Sequence, residues 1–349
     1  MSDDPRLAFH RAMLSMWMPQ ALHAAAELGL ADALAAAPRS SHDIAIAIGA
    51  HPPSTDRLCA ALATLGALAR DGDRWALTAL GRCLVSSERA DRATAPEPSS
   101  LRAVARLMGG RAVWDAWGRL SDCVRTGRPA YAVDQSDAVP VFAAFEGDPE
   151  SAEIFHRAMA EWTRGVGPGI VRALDLSRAD HVVDVGGGWG ELLACALEAA
   201  PRASGTIFDL GPAEPGARSH LSARAVAERA RFVAGDVFRT PPPQADVFLL
   251  KSVIHDWDDD RSRQILGQCR DALRPDDRLY VIEPPFPSAR AGSPAEWMLS
   301  FSDLNMLVNT GGLERTEPEY RALIESAGLA CRAVHATDGP YRAFECARA

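Results

Sequence analysis

Val182-Val183-Asp184-Val185-Gly186-Gly187-Gly188-Trp189-Gly190-Glu191 is the stretch from which the fold can be read. A β-branched run, interrupted only by Asp184, is typical of a strand buried on both faces. Glycines then take over, and residues 191–199 resume with the spacing of a helix. Glycine at such a junction lets backbone come close to a ligand. The motif is not Gly-x-Gly-x-x-Gly: Gly186, Gly188 and Gly190 stand two apart, with Asp184 close by. A dinucleotide site aims a helix N-terminus at a pyrophosphate, which an anionic Asp184 would oppose. An acidic glycine loop suits a cofactor that carries positive charge and no phosphate.

Downstream, strand-length apolar runs alternate with helical segments. Residues 181–185, 205–208, 231–234, 247–250 and 278–282 read as strands, with helices at 191–199, 260–273 and 317–326. Two last strands, 330–335 and 342–346, flank Asp338-Gly339-Pro340 as a hairpin. The alternation predicts an α/β fold: a Rossmann-like, doubly wound, mainly parallel seven-stranded sheet with a C-terminal antiparallel hairpin. Acidic residues recur at the strand ends. Asp209, followed by Leu210, lies about 20 residues past the glycine loop, where a carboxylate can accept both ribose hydroxyls. Asp236 and Val237 close the third strand, where a carboxylate can accept from an adenine amino group. The fourth ends at Lys251, the only lysine among 37 lysines and arginines. A compact ammonium kept there marks a place that a planar guanidinium would not fit. His255, Asp256 and Trp257 follow, at a strand end where open α/β sheets keep their chemistry.

Upstream, residues from about Leu7 to Leu84 are alanine-rich and helical in pattern. Ser40-Ser41-His42-Asp43 caps a short helix over 44–48, and Ser54-Thr55-Asp56 a second through about Leu65. Residues 69–78 read as a hairpin, which completes a winged-helix pattern. A DNA-binding regulator would need several phosphate contacts from the second helix, which carries only Arg57. A dimerisation scaffold is the favoured reading. Residues 90–100 read as a linker. Helical segments at about 101–124, 138–145 and 151–174 carry Trp114, Trp117, Phe142, Phe145, Phe155, Met159 and Trp162, a lid for a flat substrate. Gly165-Val166-Gly167-Pro168-Gly169 is expected to bend or restart the last of them. The expected organisation is a winged-helix-like dimerisation domain (1–100), a helical linker and lid (101–175) and a cofactor-binding catalytic domain (176–349).

A net charge of −9 argues against a partner that is nucleic acid. Seven scattered cysteines without a Cys-x-x-Cys pair favour reduced thiols over disulfides or a metal site. Met1-Ser2-Asp3-Asp4-Pro5 lacks an export core, and no apolar run reaches the ~18 residues of a membrane span. A cytoplasmic location, with neither membrane nor metal, is the expectation.

Four blocks, 182–190, 232–238, 249–257 and 311–316, resemble the class I S-adenosylmethionine-dependent small-molecule O-methyltransferases, a family of plant caffeate- and flavonoid-type and bacterial antibiotic-tailoring enzymes. The resemblance spans most of the chain and implies a homodimer that uses S-adenosyl-L-methionine. It implies that Gly186 and Gly188 line the methionine part, Asp209 the ribose, and Asp236, Val237 and Trp257 the adenine, with Asp184, Leu210 and Lys251 also in the cofactor site. His255 would be the general base, with Asp256, Glu283 and Glu314 around it. Phe155, Met159 and Trp162, with Met306 and Asn309, would hold an aromatic or quinone-type acceptor. A phenol near pKa 10 and a histidine near 6.5 differ by roughly 5 kcal/mol for complete proton transfer. Proton loss coupled to attack, with a carboxylate supporting the imidazolium, lowers that demand. The alternative is C- or N-methylation with His255 and Asp256 used differently. Residues 303–310 have their own wording, so the acceptor's identity does not carry over.

Overall fold

The computed structural model describes residues 4–90, 100–133, 142, 148–287, 293 and 296–349. Residues 91–99 of the expected linker, and all of the expected helix at 138–145 except Phe142, lie outside them. The chain divides into two compact units, Met1–Trp114 and Asp115–Ala349.

In the first unit, helices Pro5–Leu14, Trp17–Leu28 and Leu30–Leu34 precede a small winged-helix arrangement. Its helices are Ser41–Ile48 and Pro52–Thr64, and its strands β1 (Arg39–Ser40), β2 (Leu68–Asp71) and β3 (Arg74–Leu77) pair in the order β1-β3-β2. Ser40 caps the first helix by accepting from Asp43 N. The second begins before the Ser54-Thr55-Asp56 signal, because Pro52 and Pro53 fill the first turn, where a missing N–H loses no bond. Thr55 is instead buried and donates back to the His51 carbonyl at 3.1 Å. Trp75 joins the core of Ala25, Leu30, Ile44 and Leu62 and donates its indole N–H to Ser41 Oγ at 3.0 Å. The first two helices and the turn between them leave Phe9, Met13, Met16 and Trp17 exposed, an apolar band of the kind that marks an association surface.

In the second unit, strands β4 (His181–Val185), β5 (Ser204–Asp209), β6 (Ala230–Ala234), β7 (Val247–Lys251), β8 (Arg278–Glu283), β9 (Leu329–Ala336) and β10 (Arg342–Arg348) form one sheet in the order β6-β5-β4-β7-β8-β10-β9. Strands β4 to β8 are parallel, and β10 enters antiparallel between β8 and β9. The expected sheet and hairpin are therefore present. Because side chains alternate along a strand, Val182 and Leu249 pack with Ile170 and Leu193 on one face, while Val183 and Phe248 pack with Ile265 and Leu323 on the other. Each such aliphatic burial contributes about 1.5–3 kcal/mol. Since β4 pairs with both β5 and β7, the strand order reverses there, and the crevice beyond the carboxyl ends of β4 and β7 is where an open sheet binds ligands.

The helix does not restart near Pro168. Helix Pro149–Arg172 runs through it, and a Cβ at Gly167 would lie 3.0 Å from Cys195 Sγ. The small residue serves close packing on helix Glu191–Ala199. Helices Glu214–Ala223 and Trp297–Asn309 also go unread in the sequence: the first opens with Pro215 and Gly216, and the second has polar residues scattered among its apolar ones.

Candidate active site

β7 leaves the sheet at Lys251, and Ser252 turns the chain at φ 51°, a left-handed conformation that a non-glycine residue rarely adopts. Such strain costs about 1–3 kcal/mol and persists where surroundings fix it. Glu283, at the end of β8, supplies the fixing: its Oε1 accepts from the backbone N–H of Val253 at 3.1 Å, Ile254 at 2.9 Å and His255 at 3.4 Å. Arg315 holds the same turn from another side. Almost wholly buried, it donates to the carbonyls of Ile254 at 3.3 Å and Trp257 at 3.0 Å, with its charge met by Asp259 at 2.7 Å. A Cβ at Gly312 would fall 2.0 Å from the His255 carbonyl, so only glycine lets this segment lie against the turn. Leu313 N then donates to that carbonyl at 2.9 Å.

The His255 ring is held among three carboxylates. Nδ1 lies 3.0 Å from Glu314 Oε1 and 3.8 Å from Glu283 Oε2, and Nε2 lies 3.9 Å from Asp256 Oδ1. Only the first is a hydrogen bond. Nδ1–H donating to Glu314 leaves Nε2 as the nitrogen able to accept a proton. Ser302 Oγ donates to Glu314 Oε1 at 2.7 Å, and Glu314 N donates to Asp303 Oδ1 at 2.8 Å. Burial works against a charged imidazole, but Glu283 and Glu314 outweigh it and hold its pKa well above the ordinary value. Burial pushes the Glu283 carboxyl up to about 7 and that of Asp256 up to about 6. Glu314 is buried too, yet His255 and Ser302 keep its pKa below the usual carboxylate value. The set can hold a proton and give it back.

Of the residues read as cofactor-binding, Asp184, Asp209 and Lys251 stand at the carboxyl ends of parallel strands, and Gly186 and Gly188 in the loop after β4. That loop turns through positive φ at Gly186, Gly188 and Gly190. Asp209 accepts from Gly188 N and Leu210 N, both at 2.6 Å. Asp184 is buried, and its Oδ2 has no hydrogen-bond partner among the described residues; burial pushes its pKa up to about 7. A buried carboxylate oxygen without a donor beside a glycine loop fits a ligand ammonium. Asp236 Oδ1 accepts from Phe238 N at 2.9 Å, Val237 packs in the core, and Trp257 meets Phe238 edge-on at 4.8 Å. Lys251 Nζ lies 3.2 Å from Ser252 Oγ and 5.2 Å from the Tyr341 ring centroid, with no ion pair to it among the described residues. Leu210 is partly exposed.

Phe155, Met159 and Trp162 share one face of helix Pro149–Arg172, at i, i+4 and i+7. Phe155 meets Phe142 at 5.8 Å, and Phe142 meets Trp257 at 5.9 Å, which links this helix to the proposed adenine side. Trp162 is 49% exposed, and no described contact ties it to the His255 cluster. Met306 is buried on helix Trp297–Asn309, and Asn309 Nδ2 donates to the Asn305 carbonyl at 3.0 Å. Ser302, Asp303 and the Arg315 clamp escape sequence reasoning. Ser302 shares a helical face with Met306 and Asn309, a signal available once that helix is recognised.

The O-methyltransferase dimerisation domain profile matches residues 11–87, and the O-methyltransferase domain profile matches residues 117–330. The chain belongs to the O-methyltransferase family. This O-methyltransferase is 37% identical to the mitomycin biosynthesis 6-O-methyltransferase of Streptomyces lavendulae, over 95% of its own length and 92% of that protein. It is 32% identical to the phenazine O-methyltransferase PhzM of Lysobacter antibioticus, over 91% and 89%. Human N-acetylserotonin methyltransferase, solved in complex with SAM, superposes with a TM-score of 0.87 at 29% identity, covering 99% of this chain and 98% of that one. The methyltransferase uses S-adenosylmethionine as its methyl donor. Among its described residues no helix is long and apolar enough to cross a membrane.

Proposed function

We propose that this methyltransferase transfers a methyl group to a phenolic or related hydroxyl of an aromatic or quinone-type secondary metabolite, with His255 as the general base. The observation that carries the reading is His255 itself, bonded through Nδ1 to Glu314 at 3.0 Å with Nε2 left to accept a proton. S-adenosylmethionine, when bound, supplies a sulfonium methyl carbon open to attack by an oxygen. Asp184 would take its ammonium, Asp209 with Leu210 its ribose, and Asp236, Val237 and Trp257 its adenine. Lys251 and the backbone at Gly186 and Gly188 would border it. His255 Nε2 would take the proton of the acceptor hydroxyl as that oxygen displaces sulfur from the methyl carbon, the C–S pair returning to the sulfur as the C–O bond forms. The imidazolium that forms is stabilised by Glu314 and Glu283, and Glu283 also fixes the turn that carries the ring. Asp256 adds negative charge on the Nε2 side. Phe155 and Met159, with Trp162, Met306 and Asn309, would hold the acceptor ring.

Residues 1–100 would form the dimerisation domain, 101–175 a linker and lid, and 176–349 the catalytic domain. The exposed band of Phe9, Met13, Met16 and Trp17 supports a homodimer. Net charge of −9 supports action on a small molecule rather than nucleic acid, and seven scattered cysteines without a Cys-x-x-Cys pair support a cytoplasmic location. The relatives named for mitomycin and phenazine methylation support an acceptor of polycyclic type. Incubation with methyl-labelled cofactor and a panel of phenols, hydroxyquinones and arylamines, read by mass, tests the reading. Labelled aryl methyl ethers are expected; label only on nitrogen or carbon would replace O-methylation by the alternative.

A further inference from the structure

Helix Trp297–Asn309 carries a polar set beside the His255 cluster whose orientation follows from donor and acceptor chemistry. Trp117 Nε1, which can only donate, lies 2.9 Å from Asn305 Oδ1. The Asn305 backbone carbonyl, which can only accept, takes Asn309 Nδ2 at 3.0 Å, and the same Nδ2 lies 2.9 Å from Asn305 Oδ1. Both amides are thereby oriented. Asn305 Oδ1 is occupied twice and Asn309 Nδ2 twice, which leaves Asn305 Nδ2 to donate outward. Among the described residues nothing takes that donor, and the side chain is half-buried rather than free in solvent.

Position on the helix says where it faces. Ser302, Asn305 and Asn309 stand at i, i+3 and i+7, on one side. Ser302 on that side donates to Glu314, which bonds His255. Asn305 is therefore about 4.5 Å along the axis from a residue that touches the catalytic cluster, a spacing within one aromatic acceptor.

We infer that Asn305, oriented by Trp117, donates to a carbonyl oxygen on the acceptor, so that the favoured acceptors are hydroxyaryl ketones or hydroxyquinones. This rests on the aromatic-hydroxyl reading above and narrows it. A neutral carbonyl suits a neutral amide. A carboxylate would call for a free cationic partner; of the described ionisable groups around the cluster, His255 is already bonded to Glu314 and Arg315 to Asp259, and the others, Asp256, Glu283, Asp303 and Glu314, are acidic. Asn305 acts as a specificity determinant, and Trp117 positions it.

The test compares 3- and 4-hydroxyacetophenone with 3- and 4-ethylphenol, which differ only in C=O against CH2, in the full-length wild type, Asn305→Leu and Trp117→Phe. The readout is the kcat/KM ratio of each ketone to its ethyl partner. The ketone's greater phenol acidity enters every enzyme equally, so it cancels between them. One hydrogen bond of ordinary strength predicts a ratio about tenfold lower in Asn305→Leu, with a smaller fall in Trp117→Phe. Should Asn305→Leu fail to fold, Trp117→Phe decides. A ratio within twofold of wild type in a variant that still binds cofactor overturns the inference, as does a preference for 3-hydroxybenzoate over both ketones. Wild-type enzyme that methylates none of these phenols, yet labels an amine or a carbon, overturns the aromatic-hydroxyl reading itself.

Discussion

Glu314→Gln removes one negative charge from His255 while keeping a side chain of equal length beside Ser302. The wild-type carboxylate oxygen lies 3.0 Å from Nδ1, and that of Glu283 lies 3.8 Å away. At an effective dielectric near 20 these distances correspond to about 5.5 and 4.4 kcal/mol of attraction for an imidazolium. Losing the larger one lowers the His255 pKa by at most about four units, at 1.36 kcal/mol each. Burial of the ring disfavours its charged form, and Glu283 and Asp256, which remain in the variant, sustain only part of the rise. With His255 as the proposed base, the ring must be neutral to work, and activity should therefore rise as pH passes upward through the folded pKa. Wild-type kcat/KM should rise with a limb well above pH 6.5. In Glu314→Gln that limb should move down by at least one unit, while the plateau kcat falls about 10²-fold because the imidazolium formed in the transition state has lost support. The glutamine carbonyl can still accept from Nδ1–H, so the tautomer is kept. The assay is transfer of labelled methyl to a phenol from pH 5.5 to 10, with cofactor affinity measured by calorimetry as a control. An unmoved limb with kcat within twofold of wild type would refute the role given to this carboxylate.

Two further outcomes follow from other parts of the molecule. Glu191 is almost fully buried, with His220 at 2.7 Å, Arg164 at 3.4 Å and Arg224 bonded to its other oxygen. Burial would raise its carboxyl, but these partners hold it below the usual value, so its contribution is present above pH ~4.5 and lost as pH falls through the folded pKa. Glu191→Gln should destabilise by about 1.5–3 kcal/mol at pH 7 by removing the buried charge that Arg164 and Arg224 bond, with Arg224 keeping Glu198 at 2.8 Å, read by denaturant melts; a change below about 1 kcal/mol would show the cluster to be dispensable. Lys251→Arg places a larger planar group where Nζ sits between Ser252 Oγ and the Tyr341 ring, and should weaken cofactor binding about tenfold by calorimetry. A variant with wild-type affinity would make the lone lysine incidental.

How much was legible follows the range of the interactions. The β4 run and its glycines announce themselves because a doubly buried strand needs a continuous apolar stretch and its turn needs positive φ. Both requirements are local. Asp209 and Lys251 were found because strand ends are countable. His255 and Asp256 were visible as a pair, but their setting was not: Glu283, Glu314, Ser302 and Arg315 reach one turn from three other elements. Resemblance pointed to the two glutamates, whereas nothing in sequence spacing pointed to Ser302 or to the three N–H bonds that make Glu283 an anchor. Helix Trp297–Asn309 escaped because both of its faces carry apolar residues, Trp297, Met298 and Phe301 outward and Met306 and Val308 inward, which blurs a 3.6-residue period. Trp162 shows the converse. It has the right spacing from Phe155 and Met159, yet this chain leaves it half exposed.

The most direct measurement is single-turnover methyl transfer by His255→Ala, at matched cofactor occupancy, across phenols of graded acidity. With His255 as the base, the variant should bind S-adenosylmethionine as wild type does and transfer at least about 10²-fold more slowly to a phenol of pKa near 10. The deficit should shrink as the acceptor becomes acidic enough to ionise unaided. A deficit below threefold with the least acidic phenol, or one that does not change with acceptor pKa, would contradict proton removal by His255.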